Sequence, residues 1–475
     1  MNGRSSSGRL RTLSVAAAIL GLVVAACGSG PAASSAASSA AASTVAASSS
    51  TAAGSAGASG GASASTAASP AASPSAAGYQ GPPVTIEYAI WGDPQEITNQ
   101  KKIVDAFHAK NPAITVNVTV ADWDAYWDKL QTGLAGGAAP DVFAMDGPLF
   151  PDYQTRDVLL DLRPYIERDG YDLSQLAEQG VKDFTTPDGG QYGLPRDLNV
   201  IALYYNKKMF DAAGVAYPDD TWDWQKLVDT AKKLTKDTNK DGKPDQWGFY
   251  TETTDMENFW LSLVWENGGD VLGTDGKTTA LGSPEAAGGI QFLQDLIYKD
   301  KVMADPAIFA ETGDAFEQGK AAMEANGSWL VPTHTAAGID FGVAPLPKGP
   351  TGRFTSVNPT GAVIAKSTKA PDAAWEFVKY LTGPDAQQQL MQLHQALPVA
   401  KTVLDGPFAT AYPGADVFAS ALQYARLKPS FKGYNEFTTV LQGELDENVF
   451  NAPKKTAKEA LGEIAPQLDA LLAAG

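Results

Sequence analysis

The chain has 475 residues, with 36 Lys and Arg against 54 Asp and Glu, and a formal net charge of −18 at pH 7. So acidic a body argues against a nucleic-acid partner, whose phosphates need Lys and Arg to neutralise them. Three histidines leave little for a zinc or transition-metal centre, and a single cysteine forms no intrachain disulfide. Stability must then come from a large core, and the roughly 400 residues after Gly81 suit two domains better than one.

In chain order, the first element is an apolar run from Leu13 to Ala26, behind a basic start carrying Arg4, Arg9 and Arg11. At about 14 residues it is too short for a bilayer span of ~20. No later segment stays apolar long enough to form one. The run closes on Val24-Ala25-Ala26-Cys27, small residues leading to the only thiol. This resembles the lipobox of bacterial lipoproteins. It implies a signal peptide over 1–26 and a lipid on Cys27 that anchors the protein to the extracellular face of the cell membrane. Residues 27–82 read as an Ala/Ser-rich flexible tether without a single charge. They bury too little apolar surface to offset ordering entropy, and as a flexible coil they would reach about 40 Å.

From Val84 the texture changes. Val84, Ile86, Tyr88 and Ile90 alternate with polar or small residues, which predicts a strand. A helix with Ile97, Val104 and Phe107 on one side follows and stops at Asn111-Pro112. Ile114, Val116, Val118 and Val120 alternate again. A helix carrying Trp123, Trp127, Leu130 and Leu134 then ends at Gly136-Gly137, and Asp141 to Met145 reads as a short buried strand. This β-α-β-α-β order is that of an α/β fold with a mostly parallel sheet covered on both faces. Further on, Val200 to Tyr205 predicts another strand. Helices are expected after Thr221, which would act as the cap, and from Pro371 to Leu381.

Ligands of such sheets bind beyond the carboxyl ends of the strands. The first and third strands end in Trp91-Gly92-Asp93 and Asp146-Gly147-Pro148, so Trp91, Asp93 and Asp146 are expected to face one crevice.

Several blocks then look like one family: Tyr192 to Pro195, Tyr204-Tyr205-Asn206-Lys207, Thr221-Trp222 with Lys233-Leu234-Thr235, and Asn267-Gly268-Gly269. Asn326-Gly327-Ser328-Trp329, Ala344 to Pro347 and Ala373 to Leu381 complete the set. In order and spacing they resemble the extracellular solute-binding proteins of family 1, the carbohydrate receptors of ABC importers related to maltose-binding protein. The resemblance implies a two-lobe periplasmic-binding-protein fold (type II-like) that closes on its ligand about hinge crossings. The crossings would fall near 195–199, 356–361 and 427–430. Lobe 1 would comprise 83–195 plus 362–427, and lobe 2 would comprise 199–356 plus 430–475. Asp146 matches a family carboxylate that bonds sugar hydroxyls. Trp329 matches an aromatic that stacks on a sugar ring, and Trp91 and Asp93 match a turn lining the cleft. The first crossing offers Asp197 or Asn199 as its polar ligand, and Gly147 replaces the basic residue expected after Asp146.

A pyranose presents apolar C–H faces and a rim of hydroxyls, which suit aromatic planes and fixed carboxylates. Trp260 and Trp265 are further candidates, with Asn258 and Glu266 as polar neighbours, and Tyr434 is a third. Trp123, Trp127, Trp222, Trp224 and Trp375 are assigned to helix packing. The resemblance implies a monomeric, non-enzymatic receptor that hands a mono- or oligosaccharide to a membrane permease and requires no cofactor. Rival readings are a receptor for another solute such as a polyol phosphate, with Arg196 and Arg353 as its cations, or a secreted glycosidase. Separately, Asp237, Asn239, Asp241 and Asp245 match positions 1, 3, 5 and 9 of an EF-hand loop, a possible structural calcium site. Gly248 stands where that loop needs its bidentate Glu.

Overall fold

A computed structural model of the chain describes residues 79–92, 94–254, 256, 259–309 and 313–474. The expected opening run is present as β1 (Val84–Trp91), α1 (Pro94–Lys110), β2 (Ile114–Ala121), α2 (Trp123–Gly136) and β3 (Val142–Asp146). In β1, Ile86, Tyr88 and Ile90 are fully buried on one face, as their alternation requires. β2 pairs parallel with β1 from Val84↔Ile114 to Trp91↔Ala121, and β3 pairs parallel on the other side. α2 ends at Gly137, whose left-handed φ of 72° lets its N–H bond the Gly133 carbonyl.

Five further strands complete the sheet: β4 (Gly193–Asn206), β5 (Met323–Gly327), β6 (Phe341–Ala344), β7 (Thr355–Ile364) and β8 (Ala425–Leu427). The order is β2-β1-β3-β7-β4-β5, with β6 beside β4 and β8 beside β7. β7 pairs antiparallel with β3 and with β4, so the parallel pattern expected for the sheet holds over β2, β1 and β3 and again only between β7 and β8.

The long strand β4 joins three cores. Leu194 belongs to the core built on β1–β3. Beyond it, Ile201 and Leu203 enter a second core with the helix Phe259–Glu266, while Leu198, Val200, Ala202 and Tyr204 enter a third. The strand's two faces thus supply different cores, which is why the segment reads as an unbroken apolar run. The third core also holds Leu397, Val403, Phe418 and Ala421 together with Ala304, Phe309, Phe316 and Ala321. The same core takes in Leu176 and Ala177, so the 397–421 segment, expected in the first lobe, packs against residues expected in both lobes. Most of the C-terminal helices pack on the second core, as Phe437, Leu441, Leu445, Leu461 and Leu468 show.

Two local expectations change. The helix Trp224–Leu234 is capped by Asp223, whose carboxylate accepts the Lys226 N–H at 2.8 Å. Thr221 instead donates its hydroxyl to Asp219. No helix among the described residues is long and apolar enough to cross a membrane.

Behind β5 lies a buried charge cluster. His334 is fully buried, with Nε2 3.0 Å from Glu324 and Nδ1 3.4 Å from Glu317. Burial opposes its charge, but Glu317 and Glu324 outweigh it and push its pKa up to about 9. Asp314 is also pushed up to about 9, first by burial and then by Glu324. Both groups bind a proton more tightly folded than unfolded, so their contribution is complete at low pH and is lost as pH rises through about 9. Urea midpoints should accordingly fall between pH 7 and 9.5. His334→Asn should cost about 3 kcal/mol at pH 7, as expected for removing one partner of a buried ion pair, with the difference narrowing towards pH 10.

Candidate functional site

β1 and β3 run parallel, so Trp91 and Asp146 emerge on the same sheet edge. There they line a cavity of about 790 Å³ with Trp123 at the start of α2, Asn199 of β4, Trp329, and Asn358 and Thr360 of β7. Asp93 lies outside the described residues. Glu96, Asp122, Asp124, Glu252 and Thr254 complete the polar rim.

Trp91 is held by neighbouring rings: Trp123 at 5.0 Å and Tyr126 at 5.2 Å, both edge-on, and Trp127 at 5.5 Å. Trp123, assigned to helix packing from the sequence, is 36% exposed and is the most open indole of this group. As first residue of α2 it sits where the helix start meets the strand edge, outside the packing stripe formed by Tyr126, Trp127 and Leu130.

Trp329 faces the cavity from the other side. Its turn is fixed on every flank: Tyr204 donates its hydroxyl to the Gly327 carbonyl at 2.7 Å, and the Gly327 N–H donates to Asn326 at 2.7 Å. Ser328 donates to Asn199 at 3.0 Å, which ties the turn to β4. The indole folds back across Gly327, so that a Cβ there would collide with its ring.

Asp146 is buried, and Lys428 Nζ stands 3.7 Å from its Oδ2. Lys428, also buried, was not singled out from the sequence, although it falls inside the expected third crossing. Behind them, the missing side chain of Gly147 makes room for the Asp183 carboxylate. Burial pushes the Asp183 pKa up to about 7, with Lys428 opposing the shift. The glycine that replaces the expected basic residue therefore has a packing reason.

Asp197 does not line the cavity. Arg196 Nε donates to its Oδ2 at 2.8 Å and Asn199 Nδ2 to its Oδ1 at 3.1 Å, so of the two alternatives at this crossing Asn199 meets the cleft. A register shift between Pro195 and Asp197 resets the side-chain alternation. Trp265 is likewise removed from the cleft. It is buried in the second core, donates to Asp270 at 3.2 Å and carries the Arg426 guanidinium 4.7 Å over its ring. Glu266 bonds Trp224 Nε1 at 2.7 Å, and Asn258 lies outside the described residues.

A second cavity, of about 360 Å³, is lined by Trp127, Trp260, Lys428 and Tyr434 and shares Trp123, Asp146 and Thr254 with the first. Trp260 and Tyr434 therefore reach this space and not the larger one.

In the acidic loop, the candidate ligands turn onto their own backbone. Asp237 accepts from the Asp241 and Gly242 N–H groups, Asn239 and Asp241 bond neighbouring amides, and Asp245 accepts from Thr238 and Asn239. Among the described residues no three His, Cys, Asp or Glu side chains converge as a metal site.

Residues 93–388 match the family model of bacterial extracellular solute-binding proteins. The chain belongs to this family. This solute-binding protein is 26% identical over 384 residues to a putative binding protein of Brucella abortus, covering 78% of this chain and 89% of the relative. It is 28% identical over 339 residues to the maltotriose-binding protein of Pyrococcus abyssi, covering 70% of each. An ABC substrate-binding protein from Listeria monocytogenes, solved in complex with cycloalternan, has 30% identity and a TM-score of 0.75 over 81% of this chain and 98% of that one. The architecture of this solute-binding protein is accordingly two-lobed, and its family and these relatives are binding proteins.

Gly327→Ala should displace the Trp329 ring or the turn beneath it. The expected cost is about 1–3 kcal/mol in denaturant unfolding, in line with overpacking elsewhere in protein cores. A variant as stable as the parent would mean that the indole does not rest on Gly327.

Proposed function

We propose that this solute-binding protein is the substrate-binding subunit of an ABC importer, capturing a mono- or oligosaccharide in its cleft and delivering it to a membrane permease. The observation that carries this reading is the convergence of Trp91, Trp123 and Trp329 with Asp146, Asn199 and Asn358 on one cavity. Indole planes cover the C–H faces of a sugar, while carboxylates and amides pair with its hydroxyls. The maltotriose-binding relative and the cycloalternan complex are consistent with that chemistry.

The cleft's charge weighs against a phosphate ester. Glu96, Asp122, Asp124, Asp146 and Glu252 line it, and an anion there would face repulsion. The two arginines considered for such a ligand are engaged elsewhere. Arg196 is bonded to Asp197 and Tyr88, and Arg353 donates to the Leu346 and Asp220 carbonyls. The receptor acts as a monomer, held at the membrane by a lipid on Cys27, which lies outside the described residues. The tether then keeps the receptor concentrated near its permease.

Calorimetry with a panel of sugars and phosphate esters tests the reading. A carbohydrate should bind, with Asp146→Asn weakening it by roughly tenfold or more, since a charge-assisted hydrogen bond contributes ~1.5–3 kcal/mol, and Trp123→Ala weakening it through loss of the stacking plane. Binding of a phosphate ester in place of every sugar would refute it. For the anchor, a labelled fatty acid should be incorporated by the parent and not by Cys27→Ser.

A further inference from the structure

Two carboxylates draw on Lys428, and only one of them reaches the cleft. Asp146 lines the cavity and has Lys428 Nζ 3.7 Å from its Oδ2. Asp183, the last residue of the short helix Glu178–Asp183, is packed against Gly147, the residue after Asp146, and does not line the cavity. Its Oδ2 is sealed from water and meets no hydrogen-bond donor. A carboxylate so placed is costly as an anion unless a nearby charge offsets it. Lys428 is the one charge that acts on it.

The lysine has little freedom to look elsewhere, since its side chain is only 2% exposed. Two residues along the same crossing, Ser430 donates its hydroxyl to the Gly147 carbonyl at 3.1 Å, which fixes the segment to the end of β3. The remaining charges around Asp183 are committed or absent. Its neighbour Lys182 is exposed and pairs with Glu178. The helix packs on β4, where Arg196 is held by Asp197 and Tyr88, and on β7, which carries no ionisable residue.

Resting on the carbohydrate reading above, we propose that Asp183 is a positioning residue for Asp146, acting through the lysine that both carboxylates share. With a proton on Asp183, Lys428 acts on Asp146 alone and holds the cleft carboxylate where a sugar hydroxyl meets it. Once Asp183 ionises, Lys428 is divided between two anions. Asp146 is then less firmly fixed, and ordering it becomes part of the cost of binding. Burial raises the Asp183 pKa to about 7 against the opposing pull of Lys428, so the exchange falls in the neutral range. Affinity in the cleft should therefore fall as pH rises through about 7, and by reciprocity binding there should take up protons.

Calorimetry from about pH 5.5 to 8.5 tests this, with maltotriose as the probe or, should it not bind, another sugar of the panel. The parent should lose about fivefold or more in affinity across that range, the lower end of typical coupling between sites. At pH 7 its binding heat should vary with the ionisation enthalpy of the buffer. Asp183→Asn holds the neutral form and should flatten the profile and abolish the proton uptake. A parent profile flat through pH 7 overturns the inference. So does an Asp183→Asn variant weakened by one factor at every pH with the slope retained, the result of a purely structural role. Should the variant fold poorly, carboxyl ¹³C shifts of the unliganded parent give the reading: the Asp146 signal should follow the Asp183 titration near pH 7, and an Asp146 signal that stays still overturns the inference. Failure of every sugar to bind is a different result. It removes the carbohydrate reading, while the same carboxyl titration still decides whether Asp183 acts on Asp146.

Discussion

The antiparallel pairing of β4 with β7 is the constraint on which the rest depends. From Asp197↔Thr360 to Val200↔Val357 the two strands run side by side through the interior, buried on both faces. Burial on two faces demands apolar side chains nearly everywhere, and it lets one strand serve three cores. Of the polar groups on this pair, Asn199, Asn358 and Thr360 open onto the cleft, while Asp197 is satisfied by Arg196 and Asn199. Desolvation explains this distribution: a polar side chain on a doubly covered strand needs a protein partner or a ligand-facing cavity. The strand that joins the three cores is therefore also one of those that floor the site.

Around that floor the cleft is built from contrasting supports. Trp91 is immobilised by three other aromatic rings, while Trp123 beside it stays open. Trp329 is held from behind by hydrogen bonds linking Gly327, Asn326 and Glu324, and Glu324 is in turn ion-paired with the buried His334. Trp91 and Trp329 are thus positioned by different physics, ring packing for the one and a polar network for the other. Preorganisation of this kind lowers the ordering cost of binding. The Asp146–Lys428 pair adds a charged centre whose carboxylate is stabilised by its partner and whose surroundings, with Asp183 behind Gly147, are crowded enough to keep it in place.

Much of this was legible from residue order. Trp91 and Asp146 were found because parallel strands of known alternation must end on one edge. Trp329 was found because its Asn-Gly-Ser-Trp turn carries a family resemblance. Trp123 was missed because helical periodicity places it on the packing stripe, whereas its position at the first turn leaves it beyond the core. Asp197 and Asn199 could not be separated, since residues two apart on a strand share a face; what separates them is that Asp197 is held by Arg196 Nε and Asn199 Nδ2 while Asn199 lines the cleft. Trp260 and Trp265 lie on a helix buried over all eight residues, where no polar face marks which indole meets a cavity.

By itself the sequence determined the α/β opening, the two-lobe class and the sugar-like chemistry of the strand-end residues. The first follows from local periodicity, the second from the resemblance that the ordered blocks carry to a known family, and the third from the few residue types able to supply aromatic planes and carboxylates. Only the tertiary structure decided that Lys428 pairs with Asp146, that Leu397, Val403, Phe418 and Ala421 share a core with Ala304, Phe309, Phe316 and Ala321, and that a second cavity adjoins the first. Each of these joins segments far apart in the chain. Their contacts depend on how separate elements are covered and stacked, and no short-range pattern records that.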